Sequence, residues 1–182
     1  MKNPLKALDD FLIKLINQKL RHPLLNIFYY YFTHVGGMVF TSILSLGLVI
    51  FARGHLAKTS YQMLMALALN MMVVFFTKRI VGRNRPYWIE KNLHTYGIDL
   101  KDYSFPSGHT TSAFTMALIF SFNYPGYGII FIGLALLVAI SRIYLAVHYP
   151  TDVLAGILVA LLGSFLVYFV LYEPVVEFIF DK

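Results

Sequence analysis

Five long apolar stretches constrain this chain more than any other feature of its sequence. They cover residues 33–52, 60–77, 107–122, 127–146 and 151–172, and a membrane-spanning helix needs about 20 mostly apolar residues. Hydrophobic residues make up 58% of the 182 positions and charged residues 13%, more apolar surface than a soluble domain of this size could bury. The sequence therefore predicts an all-α fold, a polytopic membrane helical bundle of about five transmembrane helices.

Residues 1–23 have an amphipathic pattern in place of a uniformly apolar one. One helical face is apolar and the opposite face is largely polar. The apolar face contains Leu5, Leu8, Leu12, Leu15 and Ile16, and the polar face contains Lys6, Asp10, Lys14 and Asn17. We expect a helix that lies in the membrane interface or packs on the end of the bundle, and the pattern leaves both alternatives open. His22-Pro23 should end it, with the tyrosines at 29–31 as an aromatic belt before the first span.

Residues 78–106 form the only long connection between predicted spans. They contain six of the fifteen lysine and arginine residues and the only tryptophan, Trp88, and long ordered connections are usually functional. We interpret 1–182 as one membrane-embedded domain with an active-site loop at 78–106. The net charge of +6 lies beside membrane spans, which favours phosphate or anionic lipid over nucleic acid as a partner. The absence of cysteine excludes disulfides, thiol catalysis and zinc–thiolate sites.

Three short strings hold the polar chemistry of the chain. They are Lys78 with Arg85-Pro86, then Pro106-Ser107-Gly108-His109, then Ser141-Arg142 with His148 and Asp152. Charges are costly at membrane depth and mark functional sites there. This set of three cations, two imidazoles and one carboxylate suits the binding and attack of a phosphate. Since even numbers of spans separate the strings, we expect all three at one membrane face.

Each string has its own chemical interpretation. Lys78 and Arg85 stand about two helical turns apart, close enough to bind different oxygens of one phosphate. Ser107 fits a helix N-cap, beside amides that can approach an anion. Asp152, in the first turn of the last helix, is expected to accept the N–H of His148 and leave the other ring nitrogen free as a nucleophile. Taken singly, each string also has an ordinary structural explanation, and only the three together favour a phosphate site.

Other polar residues receive structural roles at this stage. Arg142 is followed by five mostly apolar residues and should be recessed, whereas Arg79 and Arg83 are expected to anchor lipid headgroups. Pro86 should end the helix that contains Lys78. Asn70 is expected to make an interhelical hydrogen bond. No carboxylate-rich group suggests a metal site.

The three strings together resemble the tripartite signature of the type 2 phosphatidic acid phosphatase superfamily. The resemblance covers residues 78–152, namely Lys78-x6-Arg85-Pro86, Pro106-Ser107-Gly108-His109 and Ser141-Arg142-x5-His148-x3-Asp152. It implies that His148 is the nucleophile that forms a phosphohistidine, with Asp152 as its orienting carboxylate. His109 would protonate the leaving oxygen and then activate water. The implied phosphate-binding residues are Lys78, Arg85, Ser107, Gly108 and Arg142.

The resemblance also implies the reaction class. We expect a metal-independent membrane lipid phosphatase, without a cofactor, that acts on undecaprenyl diphosphate or phosphatidylglycerophosphate. A lipid A phosphatase and a lipid-to-lipid phosphotransferase are the alternatives that use the same site. A vanadium haloperoxidase or a transporter fits a small chain with few intramembrane polar residues less well. We expect the active site on the extracytoplasmic side of the inner membrane, and the C-terminal Lys182 in the cytoplasm.

Overall fold

A computed structural model of the chain describes residues 4–174, and within them it contains helices and no β-strand. The helices are α1 (Pro4–Lys14), α2 (Pro23–Phe32), α3 (Met38–Phe51), α4 (Gly54–Val81), α5 (Pro86–Ile89), α6 (Gly108–Asn123), α7 (Gly128–Tyr144) and α8 (Pro150–Leu166). Turns of π-helix extend α1 to Lys19 and α8 to Leu171. The prediction of an all-α membrane bundle is confirmed; the predicted cytoplasmic end at Lys182 lies outside the described residues.

The number of membrane crossings stays a prediction, because the five predicted spans differ in how well their helices meet the length of a bilayer. Between residues 4 and 174, three helical segments are long and apolar enough to cross a bilayer, namely Gly54–Ile89, Pro125–Tyr144 and Pro150–Pro174. The pair α2–α3 supplies a fourth if it is one bent span. The remaining predicted span, 107–122, is α6, whose 16 residues extend about 24 Å. Helices α4, α7 and α8 surround α6 and most of its residues are buried, so its apolar side chains contact protein.

The first predicted span is bent in the structure. A 3₁₀ turn at Thr33–Gly36 and extended backbone at Gly37 separate α2 from α3. The chain bends by 49° between the two helices. A Cβ at Gly36 would lie 2.6 Å from the backbone oxygen of His109, so the glycine permits this close approach to α6. The tyrosines at 29–31 belong to α2, and Tyr29 packs on the Tyr144 ring at a centroid distance of 4.8 Å. The aromatic belt predicted for these tyrosines stays a prediction, and Tyr29 also contributes to packing within the bundle.

Helix α1 packs on the end of the bundle through one face. Asp9, Ile13 and Asn17 are buried there, and the Asn17 amide donates to the backbone oxygen of Tyr144 at 2.7 Å. The exposed residues include apolar ones, Leu5, Leu8 and Phe11. Packing on the bundle is thus the alternative that the structure shows, while the outward apolar residues suit a membrane interface. Asn17, expected on the outward polar face, is buried because its amide satisfies backbone groups of the bundle.

Helix α4 ends earlier than the sequence predicts. Gly82 adopts the left-handed conformation (φ 59°) and closes the helix after Val81, with its N–H bonded to the Lys78 oxygen at 3.1 Å. Pro86, expected to end this helix, is the first residue of α5. Lys78 and Arg85 therefore lie on separate elements, and their approach depends on the loop between them. The expected interhelical bond of Asn70 is present, from its amide to Thr115 Oγ1 at 2.8 Å.

Candidate active site

The three sequence strings meet at one end of a cavity of about 720 Å³. Lys78 reaches it from the last turn of α4, Arg142 from the last turn of α7, and Arg85 from the N-cap of α5. His109 enters from the first turn of α6 and His148 from the turn between α7 and α8. Residues distant in sequence thus form one polar cluster, as the parity of the spans predicts. Gly108 also lines the cavity, whereas Ser107 and Asp152 lie behind its wall.

His148 is almost fully buried, and its two ring nitrogens face different partners. Nε2 lies 3.3 Å from Nη1 of Arg85, while Nδ1 lies 3.4 Å from the Ser104 hydroxyl. A guanidinium has no acceptor atom, so we assign the lone pair to Nε2 and the proton to Nδ1. The unprotonated nitrogen therefore points toward the cationic end of the cavity, the orientation that a nucleophile needs.

The direct hydrogen bond expected between Asp152 and His148 is not formed at an ordinary hydrogen-bond distance. His148 Nδ1 stands 3.6 Å from Asp152 Oδ2, beyond the usual range for such a bond. The Ser104 hydroxyl contacts both groups, since it donates to Asp152 Oδ2 and adjoins Nδ1. Asp152 also accepts the Tyr149 N–H at 2.8 Å as part of a capping box at the start of α8. The carboxylate is thus held by its own helix, and its link to the imidazole runs largely through Ser104.

The electrostatic surroundings keep His148 neutral. Residue 148 lies in the α7–α8 turn, outside the spanning helices. Burial lowers the pKa of its imidazole well below 6.5, and the positive charges of Arg142, Arg85 and Lys78 lower that pKa further. The neutral imidazole is the nucleophilic form, so the site favours the protonation state that attack on phosphorus requires.

Two of the three cations share one carboxylate. Asp102 binds Lys78 Nζ through Oδ2 at 2.7 Å and Arg85 Nη2 through Oδ1 at 2.6 Å. Burial alone would raise the pKa of Asp102, but the bonds and charges of Lys78 and Arg85 lower it to about 2. The remaining Arg85 donors contact the backbone oxygens of Asp102 and Val147 at 2.7 and 2.8 Å. The Asp102 carboxylate therefore occupies donors that could bind a phosphate.

Arg142 is the third cation and is recessed, as predicted. Its side chain is 2% exposed, and Nη1 donates to Thr33 Oγ1 at 2.6 Å. Within residues 4–174, its Nε has no hydrogen-bond partner. A buried guanidinium with an unused donor in the wall of a cavity is suited to an anionic ligand.

The second string supplies His109 and a helix N-terminus. Ser107 is the N-cap of α6, as predicted, and its hydroxyl accepts the Thr110 N–H at 3.5 Å and lies 2.9 Å from Thr110 Oγ1. Ser107 is fully buried and is not among the residues that line the cavity. The phosphate contact expected of Ser107 therefore stays a prediction, while His109 and Gly108 line the cavity.

Four residues near the site were missed or misassigned from the sequence. Arg83 was expected to anchor lipid headgroups, but it binds Asp9 and Asp152 at 2.7 and 2.5 Å. The others received no role, namely Thr33, Asp102 and Ser104. Their contacts cross between distant elements, and no local spacing in the sequence indicates such contacts. The only local signal is the position of Ser104 and Asp102 just before Ser107.

The remainder of the cavity is apolar and runs between α3 and α4. Met38 and Leu46 line it from α3, and Leu67, Met71 and Phe75 from α4. Three of these side chains also face outward, since Met38 is 74%, Leu46 53% and Phe75 47% exposed. The cavity is therefore a groove that opens sideways, toward the region where lipid chains surround the helices. Its polar end and its apolar length together suit a ligand with an anionic head and a hydrocarbon tail.

The chain is similar to a solved structure and to sequences of known phosphatases. The crystal structure of Aquifex aeolicus LpxE superposes with a TM-score of 0.79 at 30% identity, over 88% of this chain and 94% of that one. A lipid A 1-phosphatase of Rhizobium etli is 34% identical over 88 residues, 44% of this chain and 36% of the relative. Undecaprenyl-diphosphatase BcrC of Bacillus subtilis is 31% identical over 117 residues, 63% of this chain and 57% of BcrC.

The match to these two relatives thus spans between about a third and somewhat over half of their own length. The family model of the PAP2 superfamily matches residues 60–174, more than half of the chain, and includes all three strings. On that match and the superposition with LpxE, the chain is a multi-pass membrane protein that belongs to the PAP2 superfamily.

Proposed function

We propose that this protein is an integral membrane lipid phosphatase that removes the terminal phosphate of a lipid phosphate or diphosphate. The observation that carries this proposal is the continuity of the cavity, which joins three cations and two imidazoles to an apolar groove open to the bilayer. A soluble phosphate ester would gain nothing from that groove, whereas a lipid phosphate fills both parts. The names of the relatives, which act on lipid A and undecaprenyl diphosphate, support the same substrate class.

The reaction we propose proceeds in two displacements. Nε2 of His148 attacks phosphorus, the bond from phosphorus to the leaving oxygen breaks, and His109 donates a proton to that oxygen. Water then attacks the phosphohistidine, His109 accepts the water proton, and the N–P bond breaks to release inorganic phosphate. Lys78, Arg85, Arg142 and the amide of Gly108 would stabilise the charge that develops on the phosphoryl oxygens. Asp152 would hold the His148 ring through Ser104.

We propose that no divalent metal is needed. Three fixed cations supply the charge that metal ions provide in many phosphoryl-transfer enzymes. The expected substrate is undecaprenyl diphosphate or phosphatidylglycerophosphate, with lipid A next. The apolar groove accepts any long acyl or prenyl chain, so the choice of lipid must be decided by assay. We also propose that the site faces the extracytoplasmic side of the inner membrane.

The test is phosphate release by the purified full chain from four lipids in mixed micelles: undecaprenyl diphosphate, phosphatidylglycerophosphate, phosphatidic acid and lipid A. We expect turnover of at least one lipid that is unchanged by a chelator and inhibited by vanadate, which mimics the transition state. His148→Ala should abolish it, and His55→Ala, at the opposite end of α4, should not. Turnover by His148→Ala would refute the nucleophile, and restoration by Mg²⁺ after chelation would refute metal independence. No release from any lipid would refute the function.

A further inference from the structure

Arg83 joins two buried carboxylates from opposite ends of the sequence. Its Nη2 lies 2.7 Å from Asp9 Oδ2 of α1, and its Nη1 lies 2.5 Å from Asp152 Oδ1 of α8. Asp9 is 1% exposed and Asp152 is fully buried. The guanidinium also stacks on the Tyr149 ring, with Cζ 4.1 Å from the ring centroid. A planar group held by two carboxylates and an aromatic face has little freedom to move.

The two oxygens of Asp152 have separate tasks. Oδ1 accepts from Arg83, while Oδ2 is the oxygen nearer His148 and accepts from Ser104 and the Tyr149 N–H. Arg83 therefore binds the oxygen on the far side from the imidazole and sets the plane of the carboxylate. Its backbone oxygen also accepts the Ser104 N–H at 2.8 Å. Arg83 thus holds both groups that stand behind His148 Nδ1.

Asp9 connects this arrangement to α1. Besides Arg83, it accepts the backbone N–H of Thr151 at 3.0 Å and the Thr151 hydroxyl at 2.5 Å. The Thr151 hydroxyl is in turn 2.7 Å from Arg83 Nη1. Asp9 therefore balances the charge of Arg83 and ties it to the first turn of α8, where Asp152 lies.

We propose that Arg83, held by Asp9, is a positioning residue that orients Asp152 and Ser104 toward His148. The inference rests on the proposed function, because it assigns Arg83 to the support of the His148 nucleophile. Outer-shell partners that orient metal-binding side chains change affinity or activity by about 10- to 100-fold, and we expect an effect of that size from Arg83. Arg83 does not line the cavity that would hold the substrate. We therefore expect the loss of its ion pairs to lower kcat and to leave substrate binding nearly unchanged.

The test compares Arg83→Met, Arg83→Lys and Asp9→Asn in the purified full chain. Arg83→Met should lower kcat about 100-fold with KM within about twofold of wild type, and weaken vanadate binding about tenfold. Arg83→Lys keeps the charge but pairs with one carboxylate only, so it should recover part of kcat. Asp9→Asn should lower kcat about tenfold. The matched control is Arg79→Met, because Arg79 is exposed and stacks on Phe75 at 3.8 Å.

Thermal unfolding gives the folded fraction of each variant, and calorimetry gives its vanadate affinity per folded molecule. Together they distinguish a positioning role of Arg83 from a role in stability alone. If Arg83→Met and Arg83→Lys lose activity only in proportion to folded protein, with wild-type vanadate affinity, the positioning role is wrong. Wild-type kcat in Arg83→Met would also overturn it. If the wild type releases phosphate from no lipid, the proposed function fails, but the vanadate affinities of the variants still decide whether Arg83 supports His148.

Discussion

The guanidinium of Arg142 and the hydroxyl of Thr33 lie 109 residues apart in the chain and form a hydrogen bond of 2.6 Å. Thr33 is in the turn where α2 bends into α3, and Arg142 lies in the last turn of α7. One bond therefore fixes the third cation of the candidate phosphate site to the bent span. A further donor of Arg142, its buried Nε, has no hydrogen-bond partner in residues 4–174.

Removing the Thr33 hydroxyl should weaken substrate binding. Thr33→Val leaves a buried donor of Arg142 unpaired and frees the guanidinium to shift, so we expect KM for the lipid substrate to rise about tenfold. Thr33→Ser retains the hydroxyl and should keep KM near the wild-type value. Steady-state phosphate release by the two variants gives the comparison. An unchanged KM in Thr33→Val would show that Arg142 does not depend on this bond.

Ser104 should be needed for rapid turnover. Its hydroxyl stands between Asp152 and His148 Nδ1, so Ser104→Ala should lower kcat about 100-fold with little change in KM. Asp152→Asn should cost more, about 10,000-fold, as does the loss of the orienting carboxylate in a comparable triad. Ser121→Ala, at the far end of α6, serves as the control. Wild-type kcat in Ser104→Ala would mean that Asp152 acts on His148 directly.

Asp102 should compete with the phosphate of the substrate. Its carboxylate pairs with Lys78 and Arg85 but is 59% exposed, so it can move aside. Asp102→Asn should therefore lower KM by up to about fivefold, the effect of one partly exposed ion pair, while kcat stays near wild type. Asp99→Asn in the same loop is the control. A rise in KM for Asp102→Asn would show instead that the carboxylate holds the cations in place for substrate.

The pH dependence should follow the lowered pKa of His148. Because the folded state favours the neutral imidazole, the acid limb of kcat/KM should lie below pH 6.5, the ordinary imidazole value. The same shift makes folding stability fall as the pH drops below 6.5, since the unfolded chain binds the proton more readily. Arg142→Met removes a nearby positive charge and should move the acid limb upward. A wild-type acid limb at or above pH 6.5 would contradict this environment.

The orientation in the membrane can be read from single cysteines, since the chain has none of its own. Asn92 is exposed in the loop beside the site, and Gly126 is exposed in the turn after α6, where a Cβ meets no atom within 4 Å. A membrane-impermeant thiol reagent on intact cells should label Asn92→Cys and spare Gly126→Cys. The opposite pattern would place the site on the cytoplasmic side. Labelling of both would contradict their assignment to opposite faces.

The sequence by itself determined the class of fold and indicated which residues form the candidate site. Apolar stretches of membrane length indicate a helical bundle whatever their packing, because lipid solvates apolar helices. The strings around Lys78, His109 and His148 could be placed together because the number of crossings between them is set by the order of the spans. Local rules also placed Ser107 at the N-cap of α6 and Asp152 in the first turn of α8.

Only the tertiary structure decided how those groups are held. Burial of α6 by its neighbours, the bend at Gly37 and the end of α4 at Gly82 depend on close packing between helices. Arg83 could not be assigned from the sequence, because its partner Asp9 is 74 residues away and an arginine beside a span usually meets headgroups. Periodicity in the sequence indicates which face of a helix is apolar. Polar pairs such as Arg83 with Asp9 form between residues that are close in space, and only the packing of the helices brings those residues together.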